Sequence, residues 1–325
     1  MASLAPASRC LIKKGSPMIL CCGEALIDMI PEQTVLGPDG YVPRSGGAIF
    51  NTAIGLGRLG CRAGLLSGIS TDMFGHQLVA DLRASNVDTR YVIRSDRPST
   101  LAFVKLSDGH ASYSFFDENS AGRMIAPHDL PEKVDDVSAL CFGGISLACD
   151  PGAETYALLA EALAPNCVVM IDPNIRPSFI KNEQVFRDRL ERLFGLADIV
   201  KVSDEDLNWI IKNADSLESK VALLQELGPS IVILTRGSSG AQAWLPDGRS
   251  IFVAIQKVEV IDTVGAGDTF NAGVLSGLSE AGLLTKTAIQ MVSENDVAEA
   301  IRFGARVAAI NVGRAGANPP WRDEL

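Results

Sequence analysis

After Met18 the chain alternates short apolar runs with longer helix-like stretches, and this alternation narrows the folds open to it. Ala63–Ile69, Ser138–Phe142, Cys167–Ile171, Ile199–Val202 and Ile231–Leu234 are short and apolar, with Gly, Pro, Asp or Ser nearby. Continuous apolar strands suit a parallel sheet covered by helices on both faces. The stretches Gly47–Leu59, Phe74–Ala84, Ala153–Ala164, Glu183–Phe194, Asp204–Ile211 and Leu217–Leu227 read as those helices. The pattern predicts an α/β domain with a doubly wound, mostly parallel sheet. Thr100–Leu106 and Ala111–Phe116 break the pattern: they alternate as half-buried strands across Ser107-Asp108-Gly109 and read as a hairpin. Leu26–Ile30 and the run at Tyr41-Val42 are candidate partners, which predicts a small second sheet standing off the main one.

Composition excludes several functional classes. A net charge of −10 argues against nucleic acid or an anionic membrane as the main partner. No apolar run is long enough to span a bilayer. The seven cysteines (Cys10, Cys21, Cys22, Cys61, Cys141, Cys149 and Cys167) are odd in number and lack C-x-x-C pairs, so they read as reduced residues of a cytoplasmic protein. The three histidines are scattered, which gives a histidine metal site no support. Residues 1–17 carry Arg9, Lys13 and Lys14 but no continuous apolar segment, so no secretory signal is expected. They are expected to stand apart from a domain covering 18–325, either as an added segment with Met18 as the natural start or as a disordered native tail.

The stretch Asp262-Thr263-Val264-Gly265-Ala266-Gly267-Asp268-Thr269-Phe270 carries the chemistry. Its glycines let the backbone curl so that successive N–H groups converge. The apolar run that follows predicts a helix, and a helix amino end is an anion site. Asp268 then sets a carboxylate beside those donors. A phosphate cradle with an adjacent base is a minimal kit for transferring a phosphoryl group to a hydroxyl. Asp268 as an ordinary helix cap is the competing reading.

Other candidates are weaker taken singly. Asp28 ends the first strand-like stretch, and Gly46-Gly47 precedes a helical run containing Asn51; together they offer the acceptors, donors and bare backbone that a polyol needs, though each also suits a turn. Asp172-Pro173-Asn174-Ile175-Arg176 follows a strand, where α/β ligands gather; Arg176 is a candidate for a hydroxyl or phosphate oxygen, with Asp172 to orient it. Arg123 is a further candidate at the edge of the small sheet. Ser203 and Asp206 have the spacing of a capping box. Thr235, Gly237 and Gly240 form a strand-end turn. Gly55, Gly57 and Gly60 spell G-x-G-x-x-G, as in dinucleotide-binding oxidoreductases, but late in a helical run, where that motif has no meaning. Neither a lysine-bearing Walker A nor a protein-kinase signature set is present.

The string from Asp262 to Phe270 resembles the second signature of the ribokinase-like, or PfkB, carbohydrate kinases, and the likeness runs in order from about Met18 nearly to the C-terminus. The resemblance implies an ATP- and Mg²⁺-dependent sugar kinase with Asp268 as base and the backbone of Gly265, Ala266 and Gly267 as anion hole. It implies sugar contacts at Asp28, Gly46, Gly47, Asn51, Arg176 and Arg123, under a lid built from about 26–45 and 98–118. Ala48 stands where ribokinase itself has lysine, and the stretch Gly46–Gly60 resembles bacterial fructokinases, so fructose leads as the sugar. 2-Keto-3-deoxygluconate and ribose follow, then nucleosides; a non-catalytic sugar-binding regulator is the reading from another class. ATP contacts are implied at Ser203, Thr235, Gly237, Gly240 and Ala305, the last where many members have asparagine. The family's Asn-x-x-Glu aligns with Ser203 and Asp206, both changed, with Asp206 reaching Mg²⁺ through water and Glu205 competing. A monovalent cation such as K⁺ near Asp262, and a homodimer through the lid, rest on the resemblance alone.

Overall fold

The computed structural model describes residues 17–325 apart from 36, 38, 108, 109, 256 and 257; residues 1–16, including Cys10, and the tip of the expected hairpin lie outside the described residues. The strands are β1 Met18–Cys22, β2 Leu26–Gln33, β3 Asp39–Gly46, β4 Ala63–Ser70, β5 Val92–Ser95, β6 Leu101–Ser107, β7 His110–Phe116, β8 Val137–Gly143, β9 Val168–Asp172, β10 Ile199–Ser203, β11 Ile231–Thr235, β12 Ala241–Trp244 and β13 Ser250–Val253. The helices are α1 Ala48–Arg58, α2 Met73–Ala84, α3 Gly152–Leu163, α4 Glu183–Phe194, α5 Asp204–Ile210, α6 Leu217–Glu226, α7 Ala266–Glu280, α8 Lys286–Gln290 and α9 Glu294–Val312.

The main sheet has nine strands in the order β13-β12-β11-β10-β9-β8-β1-β4-β5. Its pairs from β11 to β5 are parallel, and β12 and β13 close one edge antiparallel. Alternate residues of β1 enter opposite cores: Ile19 and Cys21 pack with α1, α2, α7 and α9, whereas Met18, Leu20 and Cys22 pack with α3 and α4. Both faces are therefore dry, which is why this strand reads as an unbroken apolar run. The six described cysteines are free and buried, as their apolar surroundings predict.

The second sheet has the order β3-β2-β6-β7. β2 pairs antiparallel with β3, setting Asp28 opposite Arg44, and parallel with β6. The hairpin β6–β7 runs in register from Leu101↔Phe116 to Ser107↔His110. The expected second sheet thus forms from the expected segments. Gly55 and Gly57 lie inside α1, so the G-x-G-x-x-G string does not join a strand to a helix start.

Candidate active site

Strand order reverses between β8 and β1, and such a reversal opens a crevice at the carboxyl edge of an α/β sheet. A cavity of about 480 Å³ lies there, lined by Leu26, Asp28 and Phe115 of the small sheet and by Asn51, Asp172, Arg176, Lys201 and residues 263–268 of the main body. A second cavity of about 640 Å³ shares Asp28, Asn51 and Val264 with it and runs on to Arg44, Asp262 and residues 315–318.

The amino end of α7 faces the first cavity. Gly265 is its N-cap at φ 72°, a left-handed conformation that glycine adopts without strain. The Ala266 N–H turns back to the Thr263 carbonyl at 3.2 Å, and the Thr269 N–H closes the first turn on the Gly265 carbonyl at 2.8 Å. The Gly267 and Asp268 amides have no protein acceptor among the described residues. Nor has the Gly265 amide, so of the expected Gly265–Gly267 set only Ala266 is engaged, the Asp268 amide joins the free donors, and the helix dipole adds to their pull on an anion.

Asp268 is buried beside these donors, and Asn51 of α1 donates its Nδ2–H to Oδ2 at 2.9 Å. Thr52 ties the same helices together by donating its hydroxyl to the Asp268 carbonyl at 3.2 Å. Burial pushes the Asp268 carboxyl up to about 7; the Asn51 hydrogen bond opposes this, Asp172 reinforces it, Lys201 opposes it and Glu24 reinforces it. A carboxylate poised near neutrality, next to free amides, suits a general base.

Asp28 projects from β2 into both cavities, and its carboxylate has no hydrogen-bond donor among the described residues. Loss of water raises it to about 6. Gly46 ends β3 and leaves room for that carboxylate, and Gly47 caps α1. Glu24 follows β1 and braces the entry to α1: its Oε1 accepts from the Ala48 N–H at 3.0 Å and its Oε2 from the Ser146 N–H at 3.3 Å. Burial raises its pKa, against those hydrogen bonds.

The pfkB family carbohydrate kinase model matches residues 16–324. The chain belongs to this kinase family. It is 48% identical over 287 residues to the fructokinase of Rhizobium leguminosarum bv. trifolii, covering 88% of this chain and 86% of that protein. Its structure superposes on Xylella fastidiosa fructokinase with bound ATP at a TM-score of 0.85, with 28% identity over 93% of this chain and 94% of the other. Vibrio cholerae O395 fructokinase in its fructose-, ADP- and calcium-bound form superposes at 0.80, with 25% identity over 93% and 94% of the two chains.

Around this cavity the remaining expected residues of the carbohydrate kinase fall into two groups. Arg176 lines the cavity, but among the described residues its guanidinium donates only to the Ile175 carbonyl, at 3.1 Å. Asp172 does not orient it: Asp172 turns to Lys201 and Asn271 instead, at 2.9 and 2.7 Å. Arg123 lies outside the cavity lining, held by the Asp117 carboxylate at 3.2 Å and the Asp150 carbonyl at 3.0 Å. Asp262 stands at the rim of the second cavity. Its two oxygens accept from the Val264 N–H at 3.0 Å and the Gly316 N–H at 2.8 Å, clipping the loop before α7 to the C-terminal loop.

Ser203 and Asp206 form the capping box of α5, with the Ser203 hydroxyl 2.7 Å from Asp206 Oδ2. Asp206 Oδ1 accepts from the Ile175 N–H at 2.8 Å, so both of its oxygens are engaged, whereas Glu205 is exposed. Thr235 ends β11, Gly237 and Gly240 make the following turn, and none of the three lines either cavity. Ala305 is buried in the core on α9. Among the described residues no three His, Cys, Asp or Glu side chains cluster to hold a metal. Mg²⁺ does not demand such a cluster, because it usually keeps several waters and binds one or two carboxylates together with substrate phosphates.

Sequence reasoning missed the part played by Lys201 and Glu24. Lys201 stands alone in the apolar run Ile199-Val200-Lys201-Val202, and a charge on a strand with two dry faces was the available signal. Glu24 directly after β1 was a similar signal.

Proposed function

We propose that this chain is a fructokinase that moves the γ-phosphoryl group of ATP to a fructose hydroxyl. The observation that carries the reading is the buried Asp268 carboxylate, pushed up to about 7, beside the free amides of α7. The near-half identity to a fructokinase supports the sugar.

In this mechanism fructose lies in the first cavity against Asp28, Gly47, Asn51 and Arg176, with Gly46 leaving room for the Asp28 carboxylate. Asp268 accepts the hydroxyl proton as the sugar oxygen bonds to phosphorus. The bond from phosphorus to the β-phosphate oxygen breaks, and ADP leaves. The α7 amides receive the charge that spreads over the phosphoryl oxygens. Mg²⁺ bound with the ATP phosphates would supply charge neutralisation there. Glu205, exposed at the start of α5, is the carboxylate free to hold its water shell, and Asp206 shapes the turn beside it. Ser203, Thr235, Gly237, Gly240 and Ala305 belong to the ATP side.

The segments 26–45 and 98–118 act as a lid that excludes water from the site. The exposed rings of Tyr41 and Phe116 flank Phe103 on this sheet, at centroid distances of 5.0 and 5.5 Å, and suit a lid-to-lid homodimer. A K⁺ ion would sit at the Asp262 loop. Reduced, buried cysteines suit the cytoplasm.

The test is ADP release with ATP and Mg²⁺ across fructose, 2-keto-3-deoxygluconate, ribose, glucose and adenosine. Selective turnover of fructose is expected. Selective turnover of another sugar overturns the sugar assignment and keeps the kinase. Sugar binding without turnover of any points to a regulator.

A further inference from the structure

We propose that Lys201 is a catalytic residue of the phosphoryl transfer, its ammonium taking charge directly from the γ-phosphoryl oxygens beside the amides of α7. The inference rests on the phosphotransferase reading above and adds a residue that none of the sequence motifs marks.

Three observations carry it. The first is position. Lys201 Nζ lies 3.1 Å from where a side-chain carbon on Gly267 would stand, and Lys201 lines the same cavity as residues 263–268. The ammonium is thus adjacent to the free Gly267 amide.

The second is donor arithmetic. An ammonium has three N–H groups. One goes to Asp172 Oδ2 at 2.9 Å, and no other acceptor is found among the described residues. Asp172 Oδ2 also accepts from Asn271 Nδ2 at 2.7 Å, while Asp172 Oδ1 and Asn271 Oδ1 are buried without partners. A lysine serving only the fold should have its buried donors satisfied. This one is aimed by Asp172 and left two donors short on the wall of the cavity.

The third is cost. The Lys201 and Asp172 side chains are 7% and 4% exposed. A buried pair of this kind is weak evidence for stability, since apolar residues of the same volume often serve the fold as well. Burial opposes the ammonium, but Asp172, then Asp206 and Asp268, hold its pKa above the ordinary lysine value. Lys201 therefore keeps its proton through the reaction. As the sugar oxygen bonds to phosphorus and the bond to ADP breaks, it contributes positive charge and hydrogen bonds, and Asp268 alone takes the proton.

The test compares Asp172→Asn with the double variant Lys201→Met/Asp172→Asn. Both lose the ion pair, and both keep an acceptor for Asn271; only the first keeps the amine, with Asp206 and Asp268 still favouring its charged form. The double variant is expected to lose about 10²–10³-fold in kcat, the range for deleting one oxyanion donor, with fructose KM within about threefold. Asp172→Asn is expected to lose about tenfold or less. Binding of ADP with aluminium fluoride and fructose should weaken in step with kcat, whereas binding of ADP alone should not. Lys201 and Asp172 act on Asp268 in opposite senses, and Asn51 and Glu24 remain, so the acid limb of kcat/KM should stay within about half a pH unit. Equal losses in the two variants, or a double variant that keeps kcat within fivefold, overturns the role of Lys201. Failure of the unaltered protein to release ADP with any sugar in the panel would instead remove the kinase reading itself.

Discussion

Asn51 Nδ2 donates to Asp268 Oδ2 at 2.9 Å, joining the amino end of α1 to that of α7 across 217 residues of sequence. The bond fixes which carboxylate oxygen is spoken for and leaves Oδ1 without a protein donor among the described residues. It also favours the ionised form against burial, which is the larger influence on this carboxyl. Asn51 was read as a sugar contact from its motif. In the structure it bonds Asp268, the proposed base, and opposes the rise of its pKa.

Asn51→Leu removes that donor. A hydrogen bond to a charged group contributes about 1.5–3 kcal/mol, and one pH unit corresponds to about 1.4 kcal/mol. The acid limb of kcat/KM should move upward by about one pH unit, so the loss at pH 6.5 exceeds the loss at pH 8.5. A pH–rate profile decides this, and a loss independent of pH would show that Asn51 does not tune Asp268.

Asp268→Asn should lower kcat by about 10²–10⁴-fold, the usual worth of a general base, while fructose still binds by calorimetry. The same change should stabilise the fold above neutral pH. The Asp268 pKa is raised in the folded chain to about 7, from 3.8, so stability present at low pH is lost as pH rises through about 7. A neutral amide escapes that loss, which is on the order of 4 kcal/mol. The Tm advantage of the variant should be largest near pH 8 and vanish near pH 4. An equal Tm difference at both ends would contradict the raised pKa.

The fold was legible because burial on two faces leaves an unbroken apolar run, so the central strands announced themselves. Strands β5, β12 and β13 did not. β5 and β13 sit at the sheet edges, where fewer positions are buried and the apolar signal thins: Arg94 of β5 and Ser250 and Phe252 of β13 are exposed, while β12, one strand in, is only four residues long and is broken by the polar Gln242. Asp268 and its glycines were legible because local backbone geometry demands them in sequence. The partners of Asp172 were not, because Lys201 and Asn271 reach it from β10 and α7, and nothing in the sequence near 172 records that convergence. Ser203 and Asp206 show the reverse: a spacing that suits a capping box did form one, with both carboxylate oxygens engaged.

Asp28→Ala should raise fructose KM at least tenfold and leave ATP KM within about twofold. Asp28 has no competing donor among the described residues, and a site built to accept hydrogen bonds from a hydroxyl loses much when the acceptor goes. Because burial raises Asp28 to about 6, fructose affinity of the unaltered enzyme should weaken as pH falls below about 6, and the variant should lose that dependence. Equal shifts in both KM values would remove Asp28 from the sugar side.

Gly265→Ala tests the start of α7, and Gly282→Ala is its control. Both glycines have φ 72°, so both changes carry the same left-handed cost of about 1 kcal/mol. They differ in space. An added carbon at 265 would lie 2.6 Å from the Ala317 side chain, whereas at 282 nothing lies within 4 Å. Gly282→Ala should therefore cost about 1 kcal/mol in denaturant unfolding and keep kcat. Gly265→Ala should cost roughly 2–4 kcal/mol, since overpacking typically adds 1–3 kcal/mol. It should also lower kcat by more than 100-fold, because relief of the clash moves the amides proposed to face the phosphoryl group. If the two variants lose the same stability and both keep full turnover, the contact between the α7 cap and the C-terminal loop does not hold the site in register.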